Sequence, residues 1–441
     1  MHEHKKIIEI KEFDSLICKK EYEDDRKHYV STAQFNTLIA TIEELSTIKN
    51  TANVLDFLSI SWHKNIGQVI TLKNFVGLIQ LPERCSIQVL PKIDFASGND
   101  EDKSKTKEIF VRMIRSMRNF RGKVFNQAFL ASDRMNLYEV FINMYLQGVR
   151  NVVQKGLKSS YLLQEDNLPF YKGKLLVNEH IRKNFSHKDR FFVTFDEFRV
   201  NRPENRLIKA TLLKLRMQTT SLMNSHEIRY LLAAFEGVEA STNFDNDFSK
   251  TIIDRNTKDY AELLQWSKIF LMNKSFTMFS GVVNSKAILF PMEKVFENYI
   301  AGEINKTFTI MDGWHVFEQS REKYLFIEPE QKFELRPDIV ITKGNQTIIM
   351  DTKWKRLNIK EHNYGISTDD MYQMYVYSKS YETKLVWLLY PKVKDIKNTD
   401  IYYKSFDNTE IRVFFVDLEL IDTSIKNLKE EVEFHIQKRF K

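Results

Sequence analysis

The sequence contains few of the residues on which several protein classes depend. It has only two cysteines, Cys18 and Cys85, which are too few for a disulfide framework and are typical of a reducing compartment. Its 13 Gly and 8 Pro exclude a collagen-like or loop-dominated chain. No run of about 18 apolar residues occurs, and the charged first residues are not followed by an apolar signal core. We therefore expect a soluble, cytoplasmic protein without a membrane segment.

Signatures of several common chemistries are missing as well. The two cysteines and the ten His residues show no zinc-ligand spacing, and no Gly-x-Ser-x-Gly or Cys/His signature occurs. Gly98 precedes Lys103-Ser104 as in a phosphate loop, but the second glycine is absent and acidic residues fill the interval. We therefore expect no zinc site, no nucleophilic Ser or Cys, and no nucleotide bound by this chain itself.

Length and composition indicate two or three globular domains. The 441 residues exceed a single core, 43% of them are hydrophobic, and the net charge of +7 permits contact with polyanions without proving it. We predict a mixed α/β (α+β) protein with a β-rich region at residues 1–105 and a mainly helical middle region at 106–280. Residues 281–441 are predicted to form the third region, which contains both strands and helices. The polar residues 96–105 are expected to be an exposed connection.

Hydrophobic periodicity predicts the individual elements. The predicted strands are residues 68–72, 75–79, 86–90, 170–177, 190–198, 385–390 and 411–420. The predicted helical stretches are residues 33–49, 107–158, 205–217, 227–279, 290–304 and 424–441.

Two β-branched runs near the C-terminal third predict a β-hairpin. Residues 334–342 and 347–355 flank a short connection that contains Gly344 and Asn345. If these two residues form the loop, Lys343 pairs with Gln346, and Asp338 stands opposite Asp351. Like charges in opposed positions are destabilising, and a hard divalent cation such as Mg²⁺ would remove that penalty.

Lys353 lies two residues beyond Asp351, so the period of a strand places both side chains on one face. An acid pair that binds a metal beside an ammonium group is suited to attack on a phosphodiester. Acid-x-Lys triplets are common in a chain with 59 acids and 66 bases, so a structural acid pair on a half-exposed sheet is the alternative. The same register places Arg336 opposite Lys353, two like charges, so a β-bulge could change the alignment of the two strands at this point.

Pro337-Asp338 followed by Asp351-Thr352-Lys353 resembles the PD-(D/E)xK nuclease signature. Further residues of that pattern lie outside the hairpin: Glu297 on the preceding helix, and Gln373 and Tyr377 on a following helix that also carries Asp370. An exposed helical Glu and ordinary amphipathic packing are the alternatives for these helical residues. The resemblance implies that Asp338, Asp351 and Glu297 hold Mg²⁺ (with Mn²⁺ as a substitute), that Lys353 positions or activates water, and that Gln373 supports the site.

The order of these motifs resembles that of McrC, the nuclease subunit family of McrBC-type modification-dependent restriction systems. Softer similarities lie upstream, at Gly77-Leu78-Ile79, at Gly173-Lys174-Leu175 with Asn205, and at residues 289–297. The resemblance covers most of residues 67–391, whereas the first 60 or so residues match no pattern. Where the family often has Ala between the Asp and the Lys, this chain has Thr352, a change that is not expected to disturb the site.

The resemblance implies a DNA endonuclease in which residues 281–441 form the PD-(D/E)xK nuclease domain, with a mixed central sheet flanked by helices. It also implies that the N-terminal region, residues 1–105, docks onto a separate McrB-like AAA+ GTPase, expected to be a hexameric ring, whose GTP hydrolysis the chain stimulates. Its substrate would be double-stranded, modified DNA, with 5-methylcytosine as the family's modification. Two alternatives stay open: a non-cleaving adaptor that activates the GTPase, and a nuclease that acts alone in repair or junction resolution. Basic residues around the hairpin could contact the DNA backbone or simply be solvated; they are Lys343, Lys355, Arg356 and Lys360.

Overall fold

The computed structural model describes residues 6–47, 58–80, 85–93, 100–116, 136–252, 258–272, 287–358, 360–393 and 400–439. The chain forms two compact units. Met1–Gly122 together with Phe276–Lys441 form the first unit, and Lys123–Ser275 form the second. The three-part division at residues 105/106 and 280/281 stays a prediction.

The N-terminal part of the first unit contains two four-stranded sheets. Its elements are β1 (Lys6–Lys11), β2 (Ser15–Ile17), β3 (Lys27–Tyr29), α1 (Thr32–Thr47), β4 (Leu58–His63), β5 (Gly67–Leu72), β6 (Phe75–Gln80), β7 (Cys85–Leu90) and α2 (Asp100–Ser116). One sheet has the order β3-β2-β5-β4, and the other has the order β1-β7-β6-β11, where β11 is Ala287–Pro291. All six residues of β7 are buried, as expected for an inner strand covered on both faces.

Two predictions for this part were wrong. Residues 100–105 belong to the first turns of α2 and are not a connection, and residues 96–99 lie outside the described ranges. Phe290 belongs to β11 rather than to the following helix, since β11 pairs with β6 of the N-terminal sheet.

Gly77 provides a direct test of this pairing. It lies in β6 opposite Leu289 with φ +143°, and a Cβ added there would overlap the carbonyl oxygen of Ile288. We expect Gly77→Ala to destabilise the first unit by roughly 2–4 kcal/mol, because it adds both backbone strain and a clash with main-chain atoms. The shift of the urea unfolding midpoint measures this. Gly344→Ala is the matched control, since Gly344 has φ +58° but open space around it, and it should cost only about 1 kcal/mol.

The second unit is mainly helical and contains one small sheet. Its described elements are α3 (Leu137–Gln154), β8 (Ser160–Leu168), β9 (Lys174–Leu175), α4 (Val177–Asn184), β10 (Phe191–Arg199), α5 (Pro203–Gln218), α6 (Leu222–Ala234), α7 (Phe244–Ser249) and α8 (Lys258–Met272). The strand order is β8-β10-β9. Asn205, singled out by the family resemblance, is fully buried; it donates to the carbonyls of Lys158 and Val200 and accepts from the Tyr260 hydroxyl.

The prediction of a strand over residues 170–177 was wrong. Only Lys174–Leu175 pairs with β10, and Val177 begins α4. The partner of β10 along its full length is instead β8, which contains residues of low strand propensity such as Glu165, Asp166 and Asn167. Cross-strand pairing decides the strand here, and it overrides local propensity.

The C-terminal part of the first unit contains a six-stranded mixed sheet with helices against it, and a separate pair formed by β13 (Lys323–Phe326) and β14 (Lys332–Leu335). The other elements of this part are α9 (Met292–Thr307), β12 (His315–Glu318), β15 (Ile339–Lys343), β16 (Gln346–Thr352), α10 (Thr368–Ser380), β17 (Leu385–Pro391), β18 (Ile401–Lys404), β19 (Glu410–Val416) and α11 (Ile421–Arg439). The strand order is β12-β15-β16-β17-β19-β18, with β16, β17 and β19 parallel and the other pairs antiparallel. The mixed α/β fold class is therefore confirmed.

Every residue of β17 is buried, so the centre of this sheet is covered on both faces. Helices α9 and α10 both contact β16, and α11 contacts β19. Among the described residues, no helix is both long and apolar enough to cross a bilayer.

Candidate active site

The hairpin of β15 and β16 has the register expected from its two-residue loop. Lys343 pairs with Gln346, and the ladder continues to Ile339 opposite Met350. Asp338 is the next residue in this register, opposite Asp351, but the ladder has ended there. The predicted contact between Arg336 and Lys353 therefore does not arise, and Arg336 instead pairs with Glu334.

Asp338 is held by the opposite strand through its side chain. Its Oδ2 accepts hydrogen bonds from the backbone N–H of Thr352 at 2.8 Å and from the Thr352 hydroxyl at 2.7 Å. The second of these bonds requires a hydroxyl at position 352. From the sequence, Thr352 in place of Ala was expected not to disturb the site. In the structure, its hydroxyl helps to fix the Asp338 carboxylate.

Lys353 lies among three groups that attract its ammonium. Its Nζ is 2.7 Å from Asp351 Oδ2, 3.0 Å from Gln373 Oε1, and 3.7 Å from Asp370 Oδ1. Burial lowers the pKa of this ammonium, but the charge of Asp351 and the hydrogen bond to it act more strongly in the other direction, so the net pKa is raised.

Helix α10 supplies the groups on the far side of Lys353. The helix is capped by Ser367, whose hydroxyl accepts the backbone N–H of Asp370. Gln373 receives the Lys353 ammonium through Oε1 and donates through Nε2 to the Tyr377 hydroxyl at 2.8 Å. Burial raises the pKa of Tyr377 to about 12, so its hydroxyl stays protonated. The predicted shared face of Asp370, Gln373 and Tyr377 is present.

The two aspartates are costly to ionise together. Asp351 is 2% exposed and Asp338 is half-buried. Burial, followed by repulsion from Asp351 and Glu297, raises the pKa of Asp338 well above its usual value. Burial also raises the pKa of Asp351, although Lys353 opposes the shift. The site therefore carries an excess of negative charge that a bound cation would relieve.

Glu297 is buried on α9, and both of its carboxylate oxygens have partners. Lys294 Nζ lies 2.7 Å from Oε2, and Gln319 Nε2 donates to Oε1 at 2.6 Å. Gln319 also donates its backbone N–H to the carbonyl oxygen of Asp338 at 2.8 Å. The structure thus brings all five predicted site residues together, while their catalytic roles stay predictions.

The sequence analysis did not identify Lys294 and Gln319 as site residues, and it named Lys355 only as a basic residue near the hairpin. Lys355 lies 2.8 Å from Asp370 Oδ2, two residues beyond Lys353 on the same extended segment. For Lys355 and Lys294 a signal existed, because each lies two or three residues from a predicted site residue and carries the opposite charge to a nearby acid. Gln319 had no such signal, since it comes from a different strand end and reaches Glu297 only in the folded chain.

The basic residues near the hairpin lie in different surroundings. Lys343 is at the turn end, over the Trp314 ring at 4.6 Å and 3.4 Å from Glu433 Oε1. Lys355 belongs to the site through Asp370, and Lys360 is exposed. Contact of these residues with DNA stays a prediction.

Trp354, the residue after Lys353, connects the site to the N-terminal sheets. Its indole Nε1 donates to Glu12 Oε2 at 2.9 Å, and its ring centroid lies 5.2 Å from that of Phe296. Glu12 is 1% exposed. Burial raises the pKa of Glu12 from 4.5 to about 8, with the Trp354 hydrogen bond acting in the opposite direction.

Because the pKa of Glu12 is raised, we expect the free energy of unfolding to depend on pH. Between pH 4.5 and about 8 the unfolded chain has lost the Glu12 proton while the folded chain keeps it, so stability falls as pH rises. Glu12→Gln keeps an acceptor oxygen and cannot ionise. We expect it to match the wild type near pH 4.5 and to exceed it by roughly 2–4 kcal/mol above pH 8. Urea unfolding midpoints measured from pH 4.5 to 9 test this, and a constant offset between the two proteins would contradict it.

The donor set of the site fits Mg²⁺. Within the described ranges, no group of three or more His, Cys, Asp and Glu side chains is arranged to hold a metal ion. Mg²⁺ does not need one, because it is commonly bound by one or two carboxylates together with water and substrate phosphate oxygens. Asp338 and Asp351 are two such carboxylates, and burial raises the pKa of both, so a bound cation would favour their ionised forms.

The fold and the site together define a class of protein: a mixed α/β chain with paired buried carboxylates and a paired lysine at the end of a hairpin. Comparison with known proteins makes this more specific. A family model described as McrBC 5-methylcytosine restriction system component matches residues 70–391, which is more than half of the chain. The chain belongs to this family. No curated protein sequence matches it significantly.

Two solved structures are similar to the chain. One is a chain of the refined half-complex from the tetradecameric assembly of Thermococcus gammatolerans McrB AAA+ hexamers with bound McrC; the two are 20% identical, with a TM-score of 0.67 over 97% of this chain and 99% of that one. The other belongs to the cryo-EM structure of the Thermococcus gammatolerans McrBC complex, with 21% identity and a TM-score of 0.47 over 67% and 86% of the two chains. The first similarity shows that the fold is shared along nearly the whole chain.

Proposed function

We propose that this chain is the DNA endonuclease subunit of a modification-dependent restriction system, active with Mg²⁺ in complex with a McrB-like AAA+ GTPase whose GTP hydrolysis it stimulates. The observation that supports this most is the grouping of Asp338, Asp351 and Lys353, with the lysine held by both Asp351 and Gln373. Its place of action would be the cytoplasm, where both DNA and GTP are available.

Each side chain has a role in this mechanism that follows from its contacts. Asp338 and Asp351 would hold the Mg²⁺ ion, and Thr352 keeps the Asp338 carboxylate in place. When bound, Mg²⁺ supplies Lewis-acid stabilisation of the negative charge that develops on the phosphate. Substitution by Mn²⁺ is compatible with the same oxygen donors.

Lys353 would orient the attacking water and stabilise negative charge on the phosphate. Its ammonium is held 2.7 Å from Asp351 Oδ2 and 3.0 Å from Gln373 Oε1, so it is suited to act as a fixed cation. Gln373 keeps the ammonium directed at the site, and Glu297, held by Lys294 and Gln319, adds negative charge beside the metal.

The partner is inferred from the family and from the fold. The similar chain comes from an assembly of McrB AAA+ hexamers with bound McrC, and the family is one of 5-methylcytosine restriction system components. We infer that this chain likewise works with a hexameric GTPase and that its substrate is double-stranded DNA carrying modified cytosine. The chain itself carries no phosphate-loop signature, which is in keeping with a nucleotide site on the partner.

The test is reconstitution of the purified chain with the GTPase from the same source. With GTP, Mg²⁺ and methylated plasmid we expect new DNA ends and a raised rate of GTP hydrolysis, and no new ends when EDTA replaces Mg²⁺. Raised GTP hydrolysis without DNA ends would reject the nuclease and favour the adaptor. DNA cleavage without any GTPase would reject the dependence on a partner and favour a nuclease that acts alone.

A further inference from the structure

Glu12 lies in the first 60 residues, which match no sequence pattern and contain no predicted site residue. It directly follows β1, and its backbone N–H donates to the carbonyl oxygen of Leu90 in β7 at 3.1 Å. The next residue, Phe13, has φ +68° and donates to Leu72 of β5 at 2.8 Å. Because β7 and β5 belong to different sheets, Glu12 sits in a turn that is fixed by both N-terminal sheets.

The Glu12 side chain leaves this turn and reaches the segment after β16. Its Oε2 accepts the indole N–H of Trp354 at 2.9 Å, across 342 positions of sequence, and both residues are buried. The Trp354 indole is therefore held by Glu12, which belongs to neither the hairpin nor its neighbouring helices. A hydrogen bond gives the indole a defined direction, which apolar packing alone would not.

Trp354 adjoins residues that carry two parts of the candidate site. Trp354 is the immediate neighbour of Lys353, whose backbone N–H is bonded to the Leu389 carbonyl oxygen at 2.9 Å. The Trp354 ring lies against Phe296, the immediate neighbour of Glu297. A shift of one ring would thus move the backbone that carries Lys353 and the turn of α9 that carries Glu297.

We propose that Glu12 is a positioning residue for the nuclease site: by holding Trp354 it fixes the segment of Lys353 and the helix turn of Glu297, and so makes cleavage depend on the N-terminal sheets. This inference rests on the proposed function and extends it to a region without an assigned role. A buried carboxyl is a poor choice for stability alone, because burial disfavours its charged form and an apolar side chain would avoid that cost. What it supplies that an apolar side chain would not is an acceptor oxygen for the Trp354 indole N–H.

Three variants separate this role from simple packing. Glu12→Met removes the acceptor but fills the space, Glu12→Gln keeps an acceptor oxygen, and Trp354→Phe keeps a ring but removes the donor. Trp314→Phe is the matched control. Trp314 is also buried in the first unit and directs its indole N–H at a glutamate, Glu433. Its ring lies beside Phe308 and Lys343, neither of which is among the five predicted site residues. The double variant Glu12→Met with Trp354→Phe measures whether the two side chains act as one unit.

The readouts are kcat for DNA cleavage by the full chain assembled with its partner, the thermal midpoint, and amide hydrogen exchange of residues 350–356 and 292–300. We expect Glu12→Met and Trp354→Phe each to lower kcat by roughly 10–100-fold, since small displacements of catalytic groups have effects of this size. Both should also raise amide exchange in these two segments. Glu12→Gln should stay within about threefold of the wild type in kcat, and the double variant should be no worse than the more affected single variant.

Several outcomes would overturn the proposal. They are a wild-type kcat and wild-type exchange in Glu12→Met, equal losses in Glu12→Gln and Glu12→Met, or an equal loss of kcat in Trp314→Phe. If the wild-type complex cuts no DNA, the proposed function fails, but the exchange measurements still decide whether Glu12 fixes these segments. A lowered thermal midpoint with unchanged exchange in residues 350–356 would assign Glu12 to packing alone and reject its positioning role.

Discussion

Replacing Asp351 with alanine is expected to lower the rate of DNA cleavage by the assembled complex on the order of 10³-fold or more. The variant loses a carboxylate that would hold Mg²⁺ and also the closest partner of Lys353, 2.7 Å away. Electrostatic contributions of this kind are worth several kcal/mol in the transition state, and each 1.36 kcal/mol is a factor of ten in rate. Initial rates of end formation on methylated plasmid, at saturating Mg²⁺ and GTP, measure the effect.

The same substitution should leave the fold intact. Asp351 is a buried carboxylate with Asp338 and Glu297 nearby, and its removal relieves repulsion, so the thermal midpoint should be equal or higher. Assembly with the GTPase and its stimulation should persist. Asp369→Ala, which removes an exposed acid beside Asp370 on α10, is the control and should cut DNA at the wild-type rate. Cleavage retained by Asp351→Ala would refute the assignment of this site.

The hairpin shows what a local signal can predict. Gly344 and Asn345 define a two-residue loop, which fixes the pairing of Lys343 with Gln346 and so the approach of Asp338 to Asp351. Each step uses only neighbouring residues and the period of a strand. The helix that carries Gln373 and Tyr377 follows in the same way from its spacing and from its Ser367 cap. The chemical core of the site was therefore accessible from the sequence.

The residues that support this chemical core could not be predicted from the sequence, because they come from distant parts of the chain. Gln319 reaches Glu297 from the end of β12, and Glu12 reaches Trp354 from the N-terminal sheets. The sequence around each of these two residues shows no pattern that would distinguish it from an ordinary surface segment. Likewise β11 looks like the start of α9 until it pairs with β6, a contact between residues more than 200 positions apart. Such contacts depend on the assembled fold and not on local propensity.

Thr352 illustrates a third case, in which the residue was noticed but its contact with Asp338 was not predicted. From the sequence, Thr in place of Ala between the acid and the lysine is a small change. In the folded chain its hydroxyl donates to Asp338 at 2.7 Å and so shares the fixing of that carboxylate with its own backbone N–H. A side chain's value as a donor depends on which acceptor lies opposite, which only the register and the end of the ladder determine.

Replacing Lys353 with methionine is the second substitution with a large expected effect. Methionine keeps an unbranched side chain of similar length but removes the ammonium that contacts Asp351 and Gln373. If the fixed cation orients water and stabilises charge on the phosphate, kcat should fall by roughly 10²–10⁴-fold while the DNA KM changes little. Steady-state cleavage over a range of DNA concentrations separates the two parameters. Lys353→Arg should also be impaired, because the planar guanidinium does not replace a compact ammonium.

Lys355→Met is the matched control for charge. It removes the same charge two residues further along, from a lysine that contacts the same Asp370, at 2.8 Å. Because Lys355 is more exposed and does not contact Asp351, its loss should act on the DNA KM and its salt dependence rather than on kcat. If both variants changed only KM, the two lysines would be equivalent contacts to the DNA backbone. The site would then lack the fixed cation that distinguishes a phosphodiester-cleaving centre from a basic surface.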